Sequence, residues 1–258
     1  MASSGRQNNG EKSVVSATSH PLFYSAPCPI TLERHATAGL HEGENLNYAR
    51  ATNSIPLNAI EFAEAARSYP IVFTSGAEPM PVALVGLENE NYFINIAGRW
   101  REDCYVPAYV RKYPFALMES PDRQQWILCV DEAAKNFAAT AAAHPFYHEQ
   151  QAAEITTRAL DFCTAFQQHY RMTRDFVQGL VEQKLLVERV STLKLPDGSS
   201  VNLRGFMTID EERFQKLSDE IYLDWRRLDW IALIHMTLQS SVNWKYIAAM
   251  ATGELKRT

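Results

Sequence analysis

Glycine is scarce in this chain, 11 of 258 residues, and none of it falls in the patterns that cradle phosphates or present a serine nucleophile. No GxGxxG, P-loop or GxSxG occurs, which argues against nucleotide-dependent and serine-hydrolase chemistry by their usual motifs. A basic excess is missing too: 25 Lys and Arg stand against 30 Asp and Glu, a net charge of −5. Binding through nucleic-acid phosphates calls for a surplus of cations, so no nucleic-acid partner is expected. No apolar run approaches the roughly 20 residues that span a bilayer. The longest candidate, Trp230 to Met236, contains His235, and no transmembrane segment is expected. The first 19 residues are polar and lack the apolar core of a secretory signal. They read as a disordered tail, with a cytoplasmic location as the default. The four cysteines, Cys28, Cys104, Cys129 and Cys163, form no CxxC pair and read as buried thiols in a reducing compartment.

What the chain does contain is an apolar fraction of 46%, enough for a sizeable core, and one unusual run. Trp100 to Phe115 gathers one Trp, three Tyr, one Phe, two Pro and several basic residues. Aromatics bury large areas and Pro fixes the backbone, so the run predicts a rigid corner. Tyr, Trp and Arg also dominate binding hot spots, which makes Trp100, Tyr105, Tyr109, Arg111 and Tyr113 the candidate binding residues. The bland alternative is that Trp100, Tyr113 and Phe115 pack the core while Arg111 pairs with an acidic neighbour.

Along the chain, order is expected to begin at Pro21-Leu-Phe-Tyr24, with Glu33 to Asn53 mostly loop. Phe62, Ala65, Ala66 and Tyr69 give a helical period over Leu57 to Tyr69, stopped by Pro70. Short apolar bursts follow at Ile71–Phe73, Val82–Leu87, Tyr92–Ile96, Phe115–Met118 and Trp126–Val130, the last two joined by a Ser120-Pro-Asp122 turn. They predict antiparallel strands. In the second half, Ile155, Ala159, Phe162, Cys163, Phe166 and Tyr170 form a helical stripe, and Thr173 is placed to cap a second helix. Leu186–Leu195 and Val201–Met207 predict a hairpin around Pro196-Asp197-Gly198. Thr208-Ile-Asp-Glu211 fits a capping box for a helix burying Phe214, Leu217 and Ile221, and Leu228–Leu238 reads as an interior helix. The expected fold class is α+β: an antiparallel sheet in the first half, then helices plus one β-hairpin. One domain over 20–258 is expected, with possible subdomains 20–143 and 144–258.

The chemistry-bearing residues form no coherent catalytic set. His144 and His148 have the i, i+4 spacing of a zinc helix, but Pro145 follows where HExxH needs Glu. His35 and His41 have no third ligand at a recognisable spacing, and His235 reads as a hydrogen-bonded core residue. Asp131-Glu132 follows a strand and reads as the cap of a helix from Ala133 onward. Cys104 lies beside Asp103 with no pattern of a paired base. No catalytic residue, metal or cofactor is expected.

Several segments, in order, resemble the bacterial SapC family. They include Pro21-Leu-Phe-Tyr24, Pro56-Leu57 with Glu61-Phe62, Tyr69-Pro-Ile-Val-Phe73 and Pro81-Val-Ala-Leu84 with Gly86-Leu87. Trp100, Tyr105-Val-Pro-Ala-Tyr109 and Arg111-Lys-Tyr-Pro-Phe115 follow, then Asp131-Glu132, Leu185-Leu186, Gly205-Phe206, Asp210-Glu211 and Asn243-Trp244. The chain departs from the pattern at Arg111-Lys112, where two arginines are expected, and in the Ala- and His-rich segment Ala138 to His148. The resemblance carries no assigned catalytic residues. It implies gene neighbourhoods of outer-membrane receptors, halogenases and cupin-like oxygenases. A peptide-transporter permease shares the short name, but it is an integral membrane component and this chain has no spanning segment to match. The expected function is a non-catalytic binding or accessory protein acting with a protein or peptide partner. The alternatives are an enzyme or small-molecule sensor of that gene setting, and a surface-layer component.

Overall fold

A computed structural model describes residues 21–43, 45–120, 125–194 and 200–253. The tail over 1–19, the middle of the Ser120 turn and the Pro196-Asp197-Gly198 turn lie outside the described residues. The strands in chain order are β1 (Pro27–Pro29), β2 (Gly39–Leu40), β3 (Ser54–Pro56), β4 (Ile71–Thr74), β5 (Pro81–Leu84), β6 (Phe115–Glu119) and β7 (Trp126–Asp131). Then come β8 (Phe137–Ala138), β9 (His144–Pro145), β10 (Tyr147–His148), β11 (Gln151–Ala152), β12 (Leu186–Lys194) and β13 (Ser200–Ile209). The helices are α1 (Leu32–His35), α2 (Phe62–Ala65), α3 (Ala108–Arg111), α4 (Glu154–Glu182), α5 (Glu211–Phe214), α6 (Asp219–Arg227), α7 (Trp230–Ser240) and α8 (Trp244–Ala251). The fold is α+β.

The expected sheet is several sheets. The largest has five antiparallel strands in the order β12-β13-β4-β5-β3. The hairpin from the second half therefore joins the first-half strands, through the pairs Phe206↔Thr74 and Met207↔Phe73. A second sheet, β1-β7-β6, pairs Cys28 and Phe115 on either side of Val130. A third, β8-β2-β9, places Leu40 opposite both Phe137 and His144. Gly39 makes that third sheet possible: a Cβ there would lie 2.1 Å from the His144 carbonyl oxygen, so only glycine admits β9 so close.

The main core crosses the proposed 143/144 boundary. It joins Phe62, Tyr69, Phe73 and Val110 to Phe176, Leu180, Ile234 and Ile247. A smaller cluster under β6 and β7 holds Phe115, Val130, Phe146, Ala159 and Cys163. Helix α4 serves both, because its inner face runs from Thr156 and Ala159 through Cys163 to Phe176, Val177 and Leu180. That continuous apolar stripe is what holds 29 residues helical.

Five local expectations are corrected. Thr173 does not start a helix; it lies buried in the middle of α4, where its hydroxyl donates to the His169 carbonyl at 2.7 Å. A threonine can bond the carbonyl four residues back as readily as it caps. No helix follows Ala133: the chain turns there into β8. Tyr92 to Ile96 forms no strand, only a single bridge between Ile94 and Trp100. The cap of α5 is Asp210, which accepts from Arg213 N at 3.1 Å, and not Thr208. His235 is exposed on α7, edge-on to Phe214, rather than in the core.

The Thr173 hydroxyl also accepts from Ala59 N at 2.8 Å, fixing the turn Ala59–Glu61 to α4. Thr173→Val keeps the shape and strands a buried N–H, so it is expected to cost about 1–3 kcal/mol. The reading is a lower urea midpoint with an unchanged slope; an unchanged midpoint would contradict the assignment.

Candidate functional site

The corner from Tyr105 to Phe115 is built around α3. Pro107 sits at its N-terminal cap, where a missing N–H costs nothing. One helical turn then sends Tyr109, Val110 and Lys112 inward and leaves Arg111 outside. The Tyr113–Pro114 peptide that follows is cis.

Two buried carboxylates hold this corner. At its start, Glu61 accepts from Ala108 N at 2.7 Å and from the Tyr105 hydroxyl at 3.0 Å through one oxygen. Its other oxygen accepts from Asn58 N at 2.8 Å. Burial nonetheless pushes its carboxyl above the usual range, outweighing the three donors and nearby Arg111. At the far end, Asp131 is completely buried and gathers four donors. Ala26 N and Ala133 N reach one oxygen at 2.7 and 3.2 Å, and Ser25 N and the Tyr113 hydroxyl reach the other, both at 3.1 Å. Asp131 was expected to cap a helix; it ties three chain segments together instead.

Between them lies Lys112, 9% exposed. Its Nζ donates to the Tyr24 hydroxyl at 3.0 Å, which donates in turn to the Phe115 carbonyl at 2.6 Å. The ammonium stands over the rings of Tyr109, Tyr24 and Phe166 at 4.4, 4.7 and 5.3 Å. Ring faces attract a desolvated cation, but burial still lowers its pKa from 10.5 to about 8, against a small opposing effect of Cys163.

The five candidate residues divide. Trp100 is buried, donating its Nε1 proton to the Tyr69 hydroxyl at 2.9 Å, and its margin reaches a cleft of about 540 Å³ that it shares with Arg99, Arg101 and Glu102. Tyr109 is buried and donates to the Leu22 carbonyl at 3.1 Å. Tyr105 lines a cleft of about 240 Å³ against Phe162 and Phe166. Tyr113 lines a larger one of about 530 Å³. Arg111 lines both, with its guanidinium donating to the Val106 carbonyl and the Tyr105 hydroxyl, each at 3.0 Å.

The larger cleft also holds residues the sequence reading did not single out. Its aromatic wall is Phe23, Tyr48 and Tyr113; the two tyrosine rings stack at 4.1 Å, and Phe23 meets Tyr48 edge-on at 5.3 Å. The Tyr48 hydroxyl donates to the Val110 carbonyl at 2.8 Å, so both tyrosine rings are pinned at their tips. Opposite stand His41, His144 and Lys135 with the carboxamides of Asn45, Asn47 and Asn136. The β2–β9 pairing brings His41 and His144 together across more than a hundred residues. No Asp or Glu lines the cleft among the described residues.

A second cluster is Cys28, His35 and Glu132, whose ligand atoms lie within 4.8 Å of one another. The set could offer a cation a thiolate, an imidazole and a carboxylate. Its present bonding is different. The His35 Nδ1 accepts from Thr31 N at 3.3 Å, which leaves the ring proton on Nε2, 3.1 Å from a Glu132 oxygen. The Arg34 guanidinium grips the same carboxylate at 2.6 and 2.7 Å, holding the Glu132 carboxyl below its usual range. His148, by contrast, lies apart from these groups, on a cleft with Glu154 and Arg158.

The lowered pKa of Lys112 fixes the sign of a pH effect. Between about pH 8 and 10.5 the unfolded chain holds a proton on this lysine that the folded chain has lost, so stability from this group rises with pH. Below pH 8 the full cost of burying the charge is present. Cys129 and Cys163, both raised to about 11, pull the other way above pH 9. The difference between wild type and Lys112→Met isolates the lysine. The variant is expected to be more stable by about 1–3 kcal/mol at pH 7, and the gap should close as pH rises from 8 to 10. A gap independent of pH in urea titrations would contradict a strained buried cation.

The two searches for known proteins return nothing to compare: no curated protein and no solved structure matches the chain. The SapC family model does match, over residues 30–247. That span leaves Phe23 outside and takes in Tyr48, Arg111, Lys112, Tyr113, Asp131 and Lys135. Covering most of the chain, the match makes this protein a member of the SapC family.

Proposed function

We propose that the protein is a non-catalytic binding protein whose cleft between the chain start, the Tyr113 corner and the β2–β9 pair holds a small organic molecule, so that it acts as a sensor or accessory protein. One observation carries this reading. The cleft combines a pinned aromatic wall with convergent polar groups, the usual make-up of a ligand site. At about 530 Å³ it falls in the size range of such sites. Burial of Trp100 and Tyr109 removes two of five anchors from any flat docking surface, which favours a cleft ligand over a large partner.

A peptide partner is the second reading. Arg111 borders both clefts, and an extended chain laid across it would use the two together. An enzymatic role has less support: no carboxylate lines the cleft beside its histidines among the described residues, and no hydrogen bond joins a histidine there to Ser25 or Lys135.

Equilibrium dialysis against a small-molecule extract of the producing cells, read by mass spectrometry, tests the reading. Ala133 is exposed and lines the cleft, so Ala133→Trp should fill it while leaving the backbone bond to Asp131 in place. Wild type is expected to retain a compound that Ala133→Trp does not. Identical retention by both, or none by either, would contradict a small-molecule site.

A further inference from the structure

We propose that the ligand of this cleft is a flat aromatic ring carrying an anionic group, a carboxylate or a phosphate ester. This deepens the proposed function and rests on it. The anion would sit toward Lys135, and the ring against Phe23, Tyr48 and Tyr113.

The charge argument comes from what the cleft omits. The chain is acidic overall, at −5, yet the cleft wall carries an arginine, a lysine and two imidazoles and no carboxylate among the described residues. Lys135 has no carboxylate within ion-pair distance among the described residues, and Arg111 reaches Glu61 only through the Tyr105 hydroxyl. Asp131 does not line the cleft, and its oxygens are met by three backbone N–H groups and the Tyr113 hydroxyl. A concave wall with cations of one sign concentrates anions.

The ring argument comes from Phe23. Tyr24 N bonds to the Pro21 carbonyl at 3.1 Å, closing a turn in which Phe23 is the third residue with φ of +78°. That position ordinarily calls for glycine or asparagine. An L-residue held there carries backbone strain, and phenylalanine has no side-chain hydrogen bond to offset it. What the turn achieves is placement: it sets the ring edge-on to Tyr48 and Tyr113, at 5.3 and 6.5 Å, on the cleft wall. Local strain that the local sequence does not require is the mark of a side chain held for its position. Edge-on and stacked faces of this kind fit a planar ring better than a saturated one.

A matched series of probes tests both halves by calorimetry: 2-naphthoate, 2-naphthyl phosphate, 2-naphthamide and saturated decahydro-2-naphthoate. One or both aromatic anions are expected to bind at least tenfold tighter than the amide and the saturated acid, and which of the two wins assigns the anion. Lys135→Met should narrow the preference for anion over amide. Phe23→Gly, which suits the positive φ, should keep the thermal midpoint near that of wild type while narrowing the preference for the aromatic over the saturated acid. An amide that binds as well as the acids overturns the anion, and a saturated acid that binds as well overturns the ring. If no probe binds while Ala133→Trp still abolishes retention of a compound from the extract, the ligand class is wrong and the cleft remains a binding site. If neither experiment shows binding, both fall.

Discussion

A single buried carboxylate, Asp131, is the point on which the cleft's geometry depends. Ser25 and Ala26 lie just after Phe23, Tyr113 is itself a wall, and Ala133 begins the loop that carries Lys135 and Asn136. All three segments donate to one side chain. Their attachment points are more than a hundred residues apart in sequence at the extremes, so no local preference could bring them together. A carboxylate with no cation partner is an expensive thing to bury, and it is stable here because every donor is fixed by the backbone or by a stacked ring. Moving any one wall would leave an oxygen or an N–H without a partner, at a cost of about 1–3 kcal/mol.

The same corner contains two other buried charges handled in different ways. Glu61 resembles Asp131 in being met by backbone N–H groups, and it anchors Tyr105 and Ala108 to the turn that Thr173 fixes on α4. Lys112 is met by ring faces and one phenol. Burial shifts both toward the neutral form, the Glu61 carboxyl upward and the Lys112 ammonium down to about 8. The stretch from Tyr105 to Tyr113 is thereby rigid at both ends, and Arg111 alone is left outside to serve two clefts.

Much of this was legible in the sequence where the signal was local. Strands at Ile71, Phe115 and Trp126, the hairpin at Leu186 and Val201, and the long apolar stripe of α4 all follow from spacing. The rigidity of the run from Trp100 to Phe115 followed from its rings and prolines. What the sequence could not show was which rings face solvent. Trp100 and Tyr109 read as anchors by type and lie in the core, because burial depends on elements such as α4 that arrive later in the chain. Tyr48 and Lys135 gave no signal, and His41 read only as a metal ligand without partners, because the cleft joins residues from five separate stretches of chain. Phe23 was visible as part of a family segment, yet nothing in Pro21-Leu-Phe-Tyr24 announces a positive φ. Asp131 reads from sequence as a helix cap, since a carboxylate after a strand looks the same whether it caps a helix or collects amides from afar.

Membership of the SapC family places the chain in a group without locating its chemistry; the cleft does that, and the cleft exists only if Asp131 holds its walls. Amide hydrogen exchange in Asp131→Asn, compared with wild type, measures this directly. The carboxamide replaces one acceptor oxygen with a donor, whichever way it turns. The account predicts faster exchange at Ser25, or at Ala26 and Ala133, whichever side meets the new NH2 group, with the amides of α4 unchanged. Protection at all three sites equal to that of wild type would show that the walls stand without Asp131.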